Sequence, residues 1–401
     1  MKKRFKRFTE QLIEGILMIS GTVTSFTVLL IVVFLFREGL ALFNTSPLEH
    51  HNVIVVNKNN PIDQLSAEEI KNIFDSEITN WKEIGGKNEP MLTFTINNLG
   101  DYFSEEEIGA DFEYLPEKLN LLVDSIPNIL AVYPDTYLAK DLKGKLVRVD
   151  KNNIPDFLFG KDWYPTAEPA VQLGVLPLIM GTLLVSIFAI IFALPIGIAT
   201  AIYMAEIADP RLQKILKPVI ELLAGIPSVV YGFFGLIVIV PLIHDVFELP
   251  VGETALAGSV VLAIMALPTI ITVSEDAIRN TPRSMKEASL ALGANRWQTI
   301  SRVVLPYSMS GITAAAILGI GRAIGETMAV LMVTGNAAVM PHSLLQPVRT
   351  IPATIAAELG EAPQGGVHFK ALFALGCILF FITLLINLWI EYISSKRKSK
   401  N

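Results

Sequence analysis

Residues 169–205 read PAVQLGVLPLIMGTLLVSIFAIIFALPIGIATAIYMA, a run without a single Asp, Glu, Lys or Arg. A hydrocarbon layer about 30 Å thick needs about 20 apolar helical residues to cross it. The run is long enough to span that layer and still enter the interface. Five other stretches have the same character: residues 16–36, 222–243, 254–274, 307–334 and 371–390. Only the fifth span in order, 307–334, carries charges in its interior, Arg322 and Glu326. The composition agrees: 52% of the 401 residues are hydrophobic and 17% are charged, against about a quarter charged in an ordinary soluble chain. The expected class is an α-helical membrane protein with six transmembrane helices.

Basic residues set the orientation, because short cytoplasmic loops collect Lys and Arg. With the N-terminus inside, the cytoplasmic side holds Lys2, Lys3, Arg4, Lys6 and Arg7, then Arg211, Lys214 and Lys217. It also holds the cluster from Arg279 to Arg302 and the tail with Lys396, Arg397, Lys398 and Lys400. The opposite loop 244–253 has no Lys or Arg, and 336–369 has only Arg349. Both termini are expected in the cytoplasm, with the basic tail meeting anionic membrane lipid. The first apolar stretch is too long for a secretory signal core, and no small-x-small site precedes Arg37 and Glu38. It reads as a retained helix.

The chain divides into 1–43 (N-terminus and first span), 44–168 (an insert) and 169–401 (a five-helix core with a loop at 275–306). The insert has 11 Lys/Arg and 22 Asp/Glu, a net charge of −11 that leaves +5 for the rest of a chain totalling −6. It contains β-branched runs at 52–56 and 92–96. Residues 66–74 carry an amphipathic helix signal, with Ser66 as cap and Glu69 three residues later. A small α+β domain on the extracytoplasmic side is expected.

The single cysteine, Cys377, can form neither an internal disulfide nor a metal site. His50 and His51 are adjacent, and adjacent side chains rarely converge on one ion. No metal, cofactor or nucleic-acid partner is expected. Gly85-Gly86-Lys87 lacks the spacing and the Ser/Thr of a phosphate-binding P-loop. The chain is expected to be no enzyme, and energy for any pumping must come from a partner.

The loop 275–306 reads as two short helices broken at Gly293, where a residue without Cβ can turn sharply. Trp297, Ile300 and Val304 fall on one apolar stripe, which needs a cover from the parent bundle or another protein. Glu287-Ala288-Ser289, Gly293 and Val303-Val304-Leu305-Pro306 together resemble the EAA loop of ABC-importer permeases, with Ser289 for the second alanine and Val303 for the usual isoleucine. The resemblance implies that residues 287–294 form a coupling helix docked in a groove of an ATPase subunit. Glu287, Ala288, Ser289, Leu290, Leu292, Gly293, Ala294, Leu305 and Pro306 would carry that contact.

Arg322 and Glu326 stand four apart, the spacing that places two side chains on one helical face. A charge at mid-bilayer costs roughly 2.5–3.5 kcal/mol on insertion scales, so the pair reads as part of a lined pathway or switch, or as a buried lock between helices. An arginine fork suits the oxygens of an anionic solute. Residues 321–330 (GRAIGETMAV), 159–163 (FGKDW) and 222–232 (LLAGIPSVVYG) closely resemble phosphate-importer permeases of the PstC type. That resemblance covers the first helix and the chain from about 157 onward. It implies that Arg322 and Glu326 act in transport. Pro227 would break the third helix beside Ser228, freeing backbone groups toward a cavity or making a packing kink.

The implied assembly pairs this chain with a second homologous permease, two ATP-hydrolysing subunits and a periplasmic phosphate-binding protein, moving inorganic phosphate. Other implied possibilities are an importer for molybdate or sulfate, or a membrane-bound phosphate sensor. Residues 61–70 and 78–86 of the insert resemble part of the periplasmic phosphate-binding proteins. Where those carry Gly-Ser-Gly-Thr, this chain has Asn97-Asn98-Leu99-Gly100-Asp101. The insert is expected to dock a binding protein or stabilise the assembly rather than trap phosphate.

Overall fold

The computed structural model describes residues 2–48, 52–109 and 111–398, with side chains for 13–48, 52–109 and 111–392. The basic side chains at both termini and the His50–His51 pair, used in the sequence reading, lie outside that set.

In chain order, α1 (Lys2–Ala41) leads to β1 (Asn52–Val56), β2 (Gln64–Leu65), α2 (Ala67–Phe74), β3 (Leu92–Thr95) and α3 (Glu105–Ile108). Next come α4 (Leu115–Ser125), β4 (Ile129–Pro134), β5 (Lys145–Val149), α5 (Ile154–Phe159), β6 (Trp163–Tyr164) and β7 (Gln172–Leu173). The rest is helical: α6 (Leu176–Ile202), α7 (Pro210–Ala224), α8 (Ser228–Phe234), α9 (Val240–Phe247) and α10 (Ala255–Arg279). Then follow α11 (Arg283–Ala291), α12 (Arg296–Thr299), α13 (Leu305–Gly325), α14 (Met328–Val333), α15 (Ile351–Glu358) and α16 (Val367–Lys398).

Six helical stretches of the described chain are long and apolar enough to cross a membrane: Ile13–Asn44, Leu176–Ile207, Ser228–Phe247, Ala255–Arg279, Arg296–Gly325 and Val367–Tyr392. Two differ from the sequence reading. The third span begins at Ser228, not 222, because α7 ends at Ala224 and the chain breaks through Gly225-Ile226-Pro227. Proline disfavours helix at the residue before it. The fifth span starts earlier, at Arg296, and its helix stops at Gly325. Arg322 therefore lies in the last turn of α13, not in the interior of a span that runs on to residue 334.

Two compact units divide the chain: Met1–Ile154 with Tyr164–Gln172 and Pro363–Cys377, and Pro155–Trp163 with Leu173–Ala362 and Ile378–Asn401. In the first, a five-stranded sheet runs in the order β2-β5-β1-β4-β3. β1 pairs antiparallel with both β4 and β5, while β2–β5 and β3–β4 are parallel. Strand alternation sends Ile54, Val56, Leu130 and Val132 to one face, against Ile70, Ile73 and Trp81. Val55, Ile129, Ala131 and Tyr133 face the other side, against Phe94 and the α4 residues Leu115 and Leu119. Both faces are thus covered, so the central strand reads as a continuous apolar run. Ser66 caps α2 in a capping box with Glu69, as the S-x-x-E spacing implies. In the same unit the first and last spans meet: Phe34 and Phe373 pack edge to face at 5.5 Å.

In the second unit α10 packs between α6 and α13. Small residues on its surface, Ala257, Gly258, Ala263 and Ala266, are buried and permit close approach of neighbouring backbones. Where α13 passes α10, a Cβ on Gly311 would meet the Ala277 Cβ at 2.3 Å.

Three spans contain a π-helical turn: Tyr203–Ile207, Gly235–Ile239 and Ile300–Val304. The last two end two residues before a proline of the same span, Pro241 or Pro306; the first closes its span, and Ala208 after it is extended. Proline lacks an N–H and crowds the carbonyl four residues back, and widening the helix relieves the crowding. Val240 and Leu305 accordingly reach back five residues, to the carbonyls of Gly235 and Ile300.

Candidate functional site

Two clusters in the second unit carry the chemistry. The first surrounds Arg322. Its guanidinium Nη1 donates to Thr269 Oγ1 of α10 at 3.4 Å, the long limit of a hydrogen bond. On α8, Tyr231 donates its hydroxyl to the Leu223 carbonyl near the end of α7 at 2.8 Å. Arg322 is half-buried, and the last turn of a helix is where a cation is favoured by the dipole.

Glu326 does not share the Arg322 face. Its backbone is extended (φ −71°, ψ 133°), and its carboxylate accepts from the amides of Thr327 at 3.1 Å and Ala329 at 3.5 Å. It caps the start of α14, where unsatisfied N–H groups favour negative charge. Among the described residues, neither Arg322 nor Glu326 forms an ion pair. The four-residue spacing fails as a pairing signal because the helix ends between the two residues. Pro227 caps α8 and Ser228 opens it, half-buried. Of the four residues expected in the pathway, only Arg322 joins this cluster. Thr269 is its other member, and nothing in its spacing marked it beforehand.

The second cluster is the loop between the fourth and fifth spans. Helix α11 ends in a Schellman motif: Ala294 N–H donates to the Ser289 carbonyl and Gly293 N–H to the Leu290 carbonyl. Gly293 has φ +85° with open space around it, so its backbone angle, not crowding, is what requires glycine. Asn295 and Gln298 form a capping box that starts α12. Ser289 Oγ and Thr299 Oγ1 lie 3.0 Å apart and join the two helices. Ser289 thus supplies a cross-link where alanine could not.

The apolar stripe divides. Ile300 and Val304 are buried, Val304 packing with Ala201, Ile278 and Ile312. Leu290, Leu292 and Trp297 are 50%, 89% and 62% exposed. Glu287 and Ala288 share that exposure; Ala294 and Leu305 are half-buried, and Pro306 is exposed. Polar contacts to Glu206 hold the loop. Lys286 Nζ meets Glu206 Oε1 at 2.5 Å, and Arg296 donates to the Glu206 carbonyl. Nearby, Glu275, 1% exposed, accepts from Arg279 at 2.7 Å and faces Lys217 at 3.8 Å. A buried carboxylate between two cations ties α7 to α10.

The sequence pattern of binding-protein-dependent transport system inner membrane components matches residues 193–399. The chain belongs to that family. It is an ABC transporter permease, a non-catalytic transmembrane subunit, and its six spans fit an inner membrane protein. The probable ABC transporter permease protein YqgH of Bacillus subtilis is 45% identical over 244 residues, covering 61% of this permease and 78% of that protein. The phosphate transport system permease protein PstC of Mesorhizobium japonicum is 39% identical over 249 residues, covering 57% of this permease and 75% of that protein. Among solved structures, a MetNI methionine ABC transporter in an inward-facing conformation matches at 18% identity with a TM-score of 0.44, over 55% of this permease and 96% of that chain.

A third polar cluster, in the same unit of the permease, escaped the sequence reading. Arg349 Nη1 pairs with Glu358 Oε1 at 2.8 Å, and Trp163 Nε1 donates to Glu358 Oε2 at 3.1 Å. It fastens the Phe159–Trp163 segment to α15. The only basic residue of its loop was the available signal, and the partner 195 residues away from Trp163 was not.

Proposed function

We propose that this permease forms the transmembrane pathway of an ATP-driven phosphate importer, together with a second, homologous permease. Two ATPase subunits bind the loop between the fourth and fifth spans, and a phosphate-binding protein delivers the solute from the opposite side. The observation that carries the solute assignment is the Arg322 cluster, read with the 39% identity to a phosphate permease. A half-buried guanidinium beside the Thr269 hydroxyl supplies a fork of donors for oxyanion oxygens and a fixed positive charge. Residues 287–294 form the docking surface: Leu290 and Leu292 are exposed among the described residues, while Lys286 and Arg296 tie the hairpin to Glu206. The basic residues Arg211, Lys214, Lys217 and 279–302 support a cytoplasmic position for this loop and for both termini.

The insert contributes docking or assembly rather than anion capture. In place of free hydroxyls, the Asn97 amide donates to Glu168 at 3.3 Å and Asn98 Oδ1 accepts from the Thr95 amide at 2.7 Å. The charge of −11 in residues 44–168 also disfavours a captured anion.

Reconstituting the permease with its partners and following labelled solute tests the reading. ATP-dependent accumulation of phosphate, but not of molybdate or sulfate, is expected. Accumulation of another oxyanion instead would reassign the solute. No uptake with partners still bound would favour a phosphate sensor.

A further inference from the structure

Glu206 holds an unusual position at the end of the second span. It lies in the π-helical turn Tyr203–Ile207. The helix ends at Ile207 and Ala208 is extended, so the Glu206 carbonyl is one of the last of the helix and has no α-helical partner ahead of it. The Arg296 guanidinium supplies the missing donor. The Glu206 side chain, 12% exposed, takes Lys286 Nζ at 2.5 Å.

These two cations come from opposite arms of the hairpin. Lys286 belongs to α11 and Arg296 to α12, on either side of the turn at Gly293. Both converge on the negative end of one helix, where leftover carbonyls and a full carboxylate add to the attraction. Because Lys286 and Glu206 are largely withdrawn from solvent, their contact is less screened than a surface pair.

The hairpin already continues covalently into the fifth span through Ile300–Val304. Towards the second span, its polar attachments among the described residues are those to Glu206. We infer that Glu206 is a positioning residue that carries movement of the 283–299 hairpin into the second span, so that the second and fifth spans shift together. The inference rests on the reading of the hairpin as the ATPase docking element. It adds a named joint: one residue, gripped by side chain and by backbone, linking the docking surface to a span remote from it in sequence.

The test uses the full reconstituted complex with Glu206→Gln, Lys286→Met, the double variant and Lys286→Arg. Three quantities are read: ATPase subunits retained, ATP hydrolysed, and labelled phosphate taken up per ATP. Glu206→Gln and Lys286→Met should keep the ATPase subunits and hydrolysis while phosphate per ATP falls about five- to tenfold, the low end of ordinary coupling between sites. The double variant should be no worse than either single change, and Lys286→Arg should stay near the parent ratio. An unchanged ratio in Glu206→Gln, additive losses in the double variant, or loss of the ATPase subunits would each overturn the inference. Leu292→Asp, run beside them, separates the two levels. If Leu292→Asp leaves binding and uptake intact, the docking reading fails. If it abolishes binding while Glu206→Gln is silent, only the Glu206 joint fails.

Discussion

Arg322 and Glu326, four residues apart in sequence, end up serving different helices: Arg322 reaches Thr269 across to α10 at 3.4 Å, while Glu326 caps α14 through backbone amides at 3.1 and 3.5 Å. Each charge is offset separately, the cation at a helix C-terminus and the carboxylate at a helix N-terminus. The two can therefore be changed independently. On the proposed pathway reading, Arg322 would meet an anion without first breaking an ion pair.

Arg322→Ala should abolish uptake while the complex still assembles. A hydrogen bond to a charged group is worth about 1.5–3 kcal/mol, so loss of the solute contacts should slow uptake by more than about tenfold. Thr269→Val removes only the hydroxyl that steadies the guanidinium and should have a smaller effect. Uptake and co-purification, measured side by side, decide between a pathway residue and a lock. A complex that falls apart in Arg322→Ala marks a lock.

Glu326→Ala should cost stability rather than selectivity. Loss of a helix cap costs about 0.5–2 kcal/mol, and Glu326→Gln retains an acceptor oxygen and should recover most of it. Thermal unfolding in detergent of the two variants, compared with the parent, measures the difference. Equal losses in both would show that the charge, not the acceptor, matters.

Gly293→Val and Leu292→Asp attack the hairpin in different ways. At φ +85° a β-branched residue is strained by about 1–2 kcal/mol, although nothing crowds the added Cβ. The valine variant should thus distort the turn and lower both hairpin stability and ATPase coupling. The Leu292 side chain is 89% exposed, so its aspartate should leave the melting temperature unchanged and remove ATPase binding. Normal transport in both variants would argue against docking through this surface.

Replacing only Arg349 should be worse than replacing the whole cluster. Arg349→Met strands the Glu358 carboxylate, at 14% exposure, with Trp163 Nε1 as a remaining donor. Breaking one side of a buried pair costs about 3–5 kcal/mol, whereas removing both charges can be nearly neutral. Arg349→Met with Glu358→Gln should therefore melt higher than Arg349→Met alone.

In the insert, the Lys145 ammonium, 2.8 Å from Asp63, holds the Asp63 carboxyl below its ordinary value of 3.8. A depressed folded value means the contact stabilises above 3.8 and is lost as pH falls through the lower folded value. Asp63 also accepts the Arg148 amide through its carbonyl. Hydrogen exchange at the Arg148 and Asp150 amides should be faster in Asp63→Asn than in the parent near neutral pH. The gap should close in acid, once intrinsic exchange is corrected for. A gap that persists in acid would assign the effect to packing.

Local pattern determined much of this permease. Apolar length alone marks six spans, since a helix crossing hydrocarbon must satisfy its own backbone and present apolar side chains. Ser66 with Glu69 announced the start of α2, and the loop at Gly293 was legible from one glycine between two short helical patterns. These features depend on neighbours within about one turn. Tertiary structure decided where charges found partners. Glu206 with Lys286 and Arg296, Glu358 with Trp163, and Arg322 with Thr269 are contacts over 53 to 195 residues. Nothing in the spacing encodes them, because each depends on which helices pack side by side. The sequence spaced Arg322 and Glu326 like a pair, and a helix end at Gly325 separated them, because Glu326 turns to the free amides of the next helix instead of continuing the α13 ladder.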